Sequence, residues 1–169
     1  MARGLWVLAA LLVVGLWVLS AALYPLLPDR IPGHYGLDGR VTRYDPPEMF
    51  WFVPVLVSFL VGLGFGLTRL AFRDYRLLNL PNKPGFLALP PSKQQRVLAR
   101  LDAQLAFLFG LMVLAFGYLQ WTSYRVATGQ QAGLPVEVWI FPLAVLALIG
   151  WMVWDIGRTV RQETSSSQR

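Results

Sequence analysis

The chain's only histidine, His34, stands in a short stretch that also holds Asp29, Arg30, Tyr35 and Asp38. An imidazole among carboxylates can serve as a general base, ligate a metal or titrate near neutral pH. Catalytic metal sites use three protein ligands and structural ones four, so His34 would need Asp38, Asp45 or Glu48 beside it. No serine–base pair or other nucleophile pattern accompanies it. The chain has no cysteine, which removes disulfides, thiolate metal sites and cysteine nucleophiles. The chain is therefore read as non-enzymatic, with no metal and no cofactor. Three uses of the stretch stay open. His34 and Tyr35 pack the loop onto the bilayer surface, with an imidazole nitrogen bonded to a backbone carbonyl, or Asp29, Arg30, His34, Tyr35 and Asp38 line a pocket for an external peptide or lipid-like ligand. The third, a metal-bearing enzyme site facing lipid headgroups, has the least behind it.

What must position these residues is a set of membrane spans. Of the 169 residues, 56% are hydrophobic and 14% charged, whereas soluble domains carry about a quarter charged. A transmembrane helix needs about 20 mostly apolar residues to cross about 30 Å of hydrocarbon. Four such runs occur, at about 5–24, 49–71, 103–121 and 137–155. Pro25 and Pro28 end the first, because proline cannot donate to a helical ladder. Arg69 and Arg73 close the second, Gln104 and Gln120 lie near the ends of the third, and Glu137 and Asp155 flank the fourth. Tyr24, Phe50, Trp51, Trp121, Tyr124, Trp139, Trp151 and Trp154 fall at headgroup depth, where amphipathic rings are favoured. No ionisable residue lies in mid-span, which argues against an ion-coupled transporter. The alternative for the first run is a secretory signal peptide, with Arg3 as its basic region and Ser20-Ala21-Ala22 as a cleavage site. The run is long for that and leads directly into the histidine-bearing stretch, so it is read as a span. The expected fold class is all-α: an integral membrane protein of four transmembrane helices and one short cytoplasmic amphipathic helix, with residues 1–158 as a single transmembrane domain.

Lysine and arginine set the orientation. The N-terminal segment holds one, the inner loop 73–102 and its approach seven, and the C-terminal tail three, against three in the loop 25–48 and one in the loop before the fourth run. Basic residues favour the cytoplasmic face. The N- and C-termini and the inner loop are therefore expected in the cytoplasm and the loop 25–48 outside. The basic middle loop is explained by topology and anionic lipid, and no nucleic-acid motif accompanies it. Ser92 and Gln95 have capping-box spacing, and Val97, Leu98, Leu101 and Leu105 recur at helical spacing, which predicts the amphipathic helix on the inner leaflet. Residues 159–169 read as a mobile polar tail. Ser58, Gly62 and Gly66 fall on one helical face, where small side chains permit close helix packing. That packing is either within the chain or against a membrane-protein partner or second copy, and the latter would make the chain a small accessory or structural subunit of a larger membrane complex.

The outer loop also carries a resemblance. Leu27, Pro28, Ile31, Pro32, His34 and Gly39 fill a pattern of the form LP-x-x-IP-x-H-F-x-x-x-G that follows a first membrane span. It resembles the signature of a bacterial membrane-protein family, domain of unknown function 1648 (DUF1648). Tyr35 stands where that family usually has phenylalanine, Gly36 where it often has asparagine, and Tyr44-Asp45-Pro46-Pro47 replaces a Gly-Ser-Lys-like run. Leu80-Pro81-Asn82-Lys83 resembles a second family feature. The resemblance implies a multi-pass protein of the bacterial plasma (inner) membrane. It also implies a distant similarity to immunity proteins against a sporulation-delaying peptide toxin, which have more spans than this chain.

Overall fold

The computed structural model describes residues 2–165, with the backbone alone for Arg76. The elements in order are α1 (Ala2–Leu23), β1 (Ile31–Tyr35), β2 (Val41–Asp45), α2 (Phe52–Arg73), a short α3 (Lys83–Leu87), α4 (Pro91–Ala127) and α5 (Ile140–Ser165), with single 3₁₀ turns leading into α2 and α5. Four of these helices are long and apolar enough to cross a membrane, as the hydropathy predicts. They form an all-α bundle with a small β-hairpin at one end. Residues such as Leu11, Val18, Phe59, Leu143 and Leu146 are more than half exposed. In water that surface would be unfavourable by roughly 25 cal/mol per Å², and a bilayer removes the penalty.

Helix α1 lies chiefly along α4, with α2 against both and α5 against α4. Trp6, Leu16, Val57, Val61, Ala106 and Val113 form the apolar centre of α1, α2 and α4. Two polar layers bracket it. At one end the buried Asp102 accepts hydrogen bonds from Trp6 Nε1 at 2.8 Å and from Arg69 Nη2 at 2.7 and 2.9 Å, so one carboxylate joins three spans. At the other, Gln120 Nε2 donates to Ser20 Oγ at 3.1 Å and to the Phe50 carbonyl at 2.9 Å. Asp102 and Gln120 are about 27 Å apart along α4 at 1.5 Å per residue, close to the thickness of hydrocarbon. Polar groups inside a bilayer must find partners within the protein, and these two layers meet that demand where the apolar slab ends.

Helix α5 has little contact with the rest of the bundle through its apolar half and is fastened at the Asp102 end. Asp155, 1% exposed, accepts a two-pronged bond from Arg100 at 2.6 and 2.7 Å and a third from Gln104 Nε2 at 2.7 Å. Below it, Leu78, Leu80, Phe86, Leu89, Val97, Leu98, Ile156 and Val160 form a second core. Asn82 adopts the left-handed conformation at φ 55°, and Pro81 lies against Gly157, where a Cβ would come within 3.1 Å of its ring. The Leu80-Pro81-Asn82-Lys83 turn thus folds the middle segment into a cap over α4 and α5.

Several expectations are corrected. The amphipathic stretch is not a separate helix on the leaflet: it forms the first turns of the 37-residue α4, and its apolar face is buried by the cap. Ser92 makes no capping bond, because the helix starts two residues earlier than the capping box requires, with Pro90 as N-cap and Pro91 as first residue. The tail expected from residue 159 is helical to Ser165, with Val160 fully buried; residues 166–169 lie outside the described ones. Ser58 serves α1 by accepting from Trp17 Nε1 at 2.9 Å. Gly62 and Gly66 have no neighbour within 4 Å of an added Cβ, so they are not internal packing positions. The close approach falls at Gly64, where a Cβ would run into the Phe109 ring.

Removing one partner of a buried ion pair leaves the other uncompensated and costs about 3–5 kcal/mol; Arg69, with 36% of its side chain exposed, recovers part of this from solvent. Asp102→Ala is expected to lower the thermal midpoint in detergent by roughly 5–10 °C. Asp38→Ala removes an exposed 3.5 Å pair with Arg40 and the bond that Asp38 Oδ1 accepts from the Arg40 amide at 3.1 Å, both in the solvent-facing turn, and should change it by about 4 °C or less. A thermal melt of both variants by circular dichroism checks the contrast.

Candidate functional site

The residues picked out by type and spacing lie on the antiparallel hairpin β1–β2. Its register pairs Ile31 with Asp45, Pro32 with Tyr44, His34 with Arg43 and Tyr35 with Val41, with irregularities on both sides of His34. Gly33 explains the first. Arg43 Nη2 reaches across to the Gly33 carbonyl at 3.3 Å and to Asp45 at 2.8 Å, and a Cβ on Gly33 would collide with the Asp45 carboxylate. Pro32 is tolerated because a two-stranded sheet consists only of edges.

The turn is Gly36-Leu37-Asp38-Gly39, closed by Gly39 N–H donating to the Gly36 carbonyl at 2.9 Å. Asp38 Oδ1 accepts from the Arg40 amide at 3.1 Å. Gly39 sits at φ +76°, and a Cβ there would also meet the Leu134 carbonyl oxygen. Two separate constraints, handedness and close approach, require glycine at this position. The Leu134 amide donates to the Gly39 carbonyl at 2.8 Å, which ties the hairpin tip to the connection between α4 and α5. At its base, Ile31 packs with Leu23, Phe50 and Tyr124 in a third apolar cluster. The hairpin is thus held at both ends, with most of β1 against the bundle and β2 facing outward.

The five predicted site residues do not converge. His34 is exposed, and its Nδ1 lies 2.7 Å from Thr42 Oγ1 across the strands. Asp38 pairs with Arg40 at the tip. Asp29 and Arg30 stand exposed before β1. Tyr35 points inward: its hydroxyl is buried without a hydrogen bond of good geometry, with the Ser123 side chain as its polar neighbour. Tyr35 thus packs within the protein, beside Ser123, and the ring partner of His34 is a threonine hydroxyl and not a backbone carbonyl. Asp45, a possible third ligand, is taken by Arg43, and among the described residues no three His, Asp or Glu side chains stand together. Sequence reasoning passed over Thr42, Arg43 and Tyr44. The signal was present in Val41-Thr42-Arg43-Tyr44, a β-branched and aromatic run placed just after an Asp-Gly turn.

Fold and site together define a four-span membrane protein with a β-hairpin docked across one end of its bundle. Residues 11–57, which cover most of α1, the whole hairpin and the start of α2, match the family described as Domain of unknown function (DUF1648), as the loop pattern led us to expect. No curated protein and no solved structure matches the chain. The family pattern now has physical content. Ile31 and Pro32 are buried at the base, and Gly39 makes the turn and its docking contact.

Burial raises the Tyr35 phenol above its usual value of 10.0, against a smaller opposing effect of Ser123. The folded state therefore favours the neutral phenol. Its contribution to stability is complete below pH 10 and is lost as pH rises through the raised pKa. Tyr35→Phe is expected to abolish that alkaline loss. At neutral pH it should be neutral or slightly stabilising, because it removes a buried hydroxyl that lacks a good partner. Thermal melts of the two proteins between pH 8 and 11 test both statements.

Proposed function

We propose that this chain is a non-enzymatic protein of the bacterial plasma membrane, with both termini in the cytoplasm, that recognises an external peptide or lipid-like ligand through the hairpin end. The observation that carries this reading is the combination of a fixed backbone and an outward face. Gly39 and Ile31 fasten the hairpin, while His34, Leu37, Arg40, Thr42 and Tyr44 remain exposed. A surface already ordered before binding avoids most of the entropic penalty of association. Its mix of an aromatic ring, cations and an imidazole suits an amphipathic ligand. The distribution of basic residues supports the orientation, because the loop 25–48 carries three and the middle loop with its approach seven. The resemblance to immunity proteins against a secreted peptide toxin points to the same class of ligand.

Two experiments decide it. A single cysteine at Leu37, 88% exposed, is expected to react in intact cells with a membrane-impermeant thiol reagent, and one at exposed Ser92 is not. The reverse pattern would place the hairpin in the cytoplasm and end the external-ligand reading. In a deletion strain challenged with secreted membrane-active peptides, the natural chain should restore resistance, and combined His34→Ala and Tyr44→Ala should lose roughly tenfold of it, the effect of a modest binding hot spot. Full rescue by the double variant at normal membrane levels would count against the hairpin as the recognition surface.

A further inference from the structure

An open groove runs between α1 and α2 at the end of the bundle opposite the hairpin. Its volume is about 700 Å³. Arg3 and Arg69 stand at its mouth, and Val7, Ala10, Gly62 and Phe65 line its length. The mouth is positive. Arg69 spends Nη2 on Asp102, its Nε has no hydrogen-bond partner, and its guanidinium carbon lies 4.8 Å from the Phe65 ring centre. Arg3 is exposed and has no ion-pair partner among the described residues. Two arginines against one carboxylate leave an excess positive charge. The two helices are antiparallel here, so the groove descends from the charged level into the apolar slab by about 10 Å, the rise from Arg3 to Ala10. Gly62 opens its wall, with nothing within 4 Å of the place a Cβ would take.

We infer that this groove holds one anionic glycerophospholipid of the adjoining leaflet, its phosphate between Arg3 and Arg69 and one acyl chain along Ala10 and Gly62. Charge selects the occupant. A net-negative headgroup gains from both guanidiniums, whereas a zwitterionic headgroup brings a cation of its own toward them. A second copy of the chain is the other candidate, since small residues four apart on α2 can seat a helix. A symmetric α2–α2 contact there would bring two Arg3–Arg69 pairs together at the hydrocarbon edge, where like charges repel strongly. Phe59, Leu63 and Leu67, all exposed, also stand proud around Gly62 and Gly66 and keep another backbone at a distance. An acyl chain bends around them without loss.

The test is native mass spectrometry of the full chain after exchange into detergent with equal phosphatidylglycerol and phosphatidylcholine. One phosphatidylglycerol should be retained in preference to phosphatidylcholine. Arg3→Gln should reduce that retention about fivefold, the effect of one basic residue near an anionic headgroup. Gly62→Leu should reduce it comparably by filling the groove. Both positions are clear of internal contacts, so the fold should tolerate both changes, and each acts on a different part of the lipid. Gly66→Leu, equally exposed but outside the groove, should leave retention unchanged. Equal retention of the two lipids, or retention indifferent to both Arg3→Gln and Gly62→Leu, would overturn the inference. A dimer abolished by Gly62→Leu, with lipid adducts unaffected, would assign the groove to a second copy instead.

Discussion

A carboxylate at the edge of a hydrocarbon slab has no bulk water to fall back on, and Asp102 takes its three hydrogen bonds from Trp6 and Arg69. That requirement organises the bundle. It brings the first turns of α1 and the last turns of α2 to one level of α4, so that α1 and α4 run parallel and α2 runs opposite to both. Asp155 repeats the arrangement for α5 through Arg100 and Gln104. Apolar packing between spans is only weakly directional, because lipid tails are as apolar as leucine. The geometry of the buried charges fixes register where the apolar contacts alone would not.

Polar bonds in the two layers differ in what they fix. The Asp102 and Asp155 layer is ionic and joins all four spans. The Gln120 layer is neutral and joins α1, α4 and the turn before α2 through a backbone carbonyl, leaving α5 out. Helix α5 is accordingly anchored at one end by charge and by the second core, while its outer half rests on lighter contacts and the short turn at Val136–Trp139. Trp154 adds to the anchored end, with the Arg158 guanidinium carbon 4.9 Å from its ring centre.

The spans were legible because a run of apolar residues of the right length has few alternatives. Their ends were not, because helices persist past the hydrocarbon when charged residues find partners on other helices. No local pattern in one sequence announces that Arg100 meets Asp155, 55 positions away. The loop 25–48 was recognisably ordered from its prolines, glycines and Asp38-Gly39, but Pro32, Gly33 and Gly36 broke the alternation that marks strands. Helical spacing placed Ser58, Gly62 and Gly66 on one face correctly, yet spacing alone does not say whether that face turns inward. Gly64, on another face, makes the internal approach. Of the site residues, the sequence drew attention to His34 and Tyr35 together, and only the fold separates them, one outward and one inward. The phenylalanine usual in the family at the position of Tyr35 agrees with an environment that offers its hydroxyl no well-formed hydrogen bond.

The pairing of α1 with α4 has a consequence for synthesis. Trp6 and Ser20 find their partners 96 and 100 residues later, and the hairpin tip cannot dock until Leu134 exists. At about 5–20 residues per second, the first span waits roughly 5–20 s in the bilayer with its polar groups unanswered and its hairpin unfastened. The newborn chain is for that interval an incomplete half-bundle, and whatever receives it in the membrane must shelter α1 until α4 arrives.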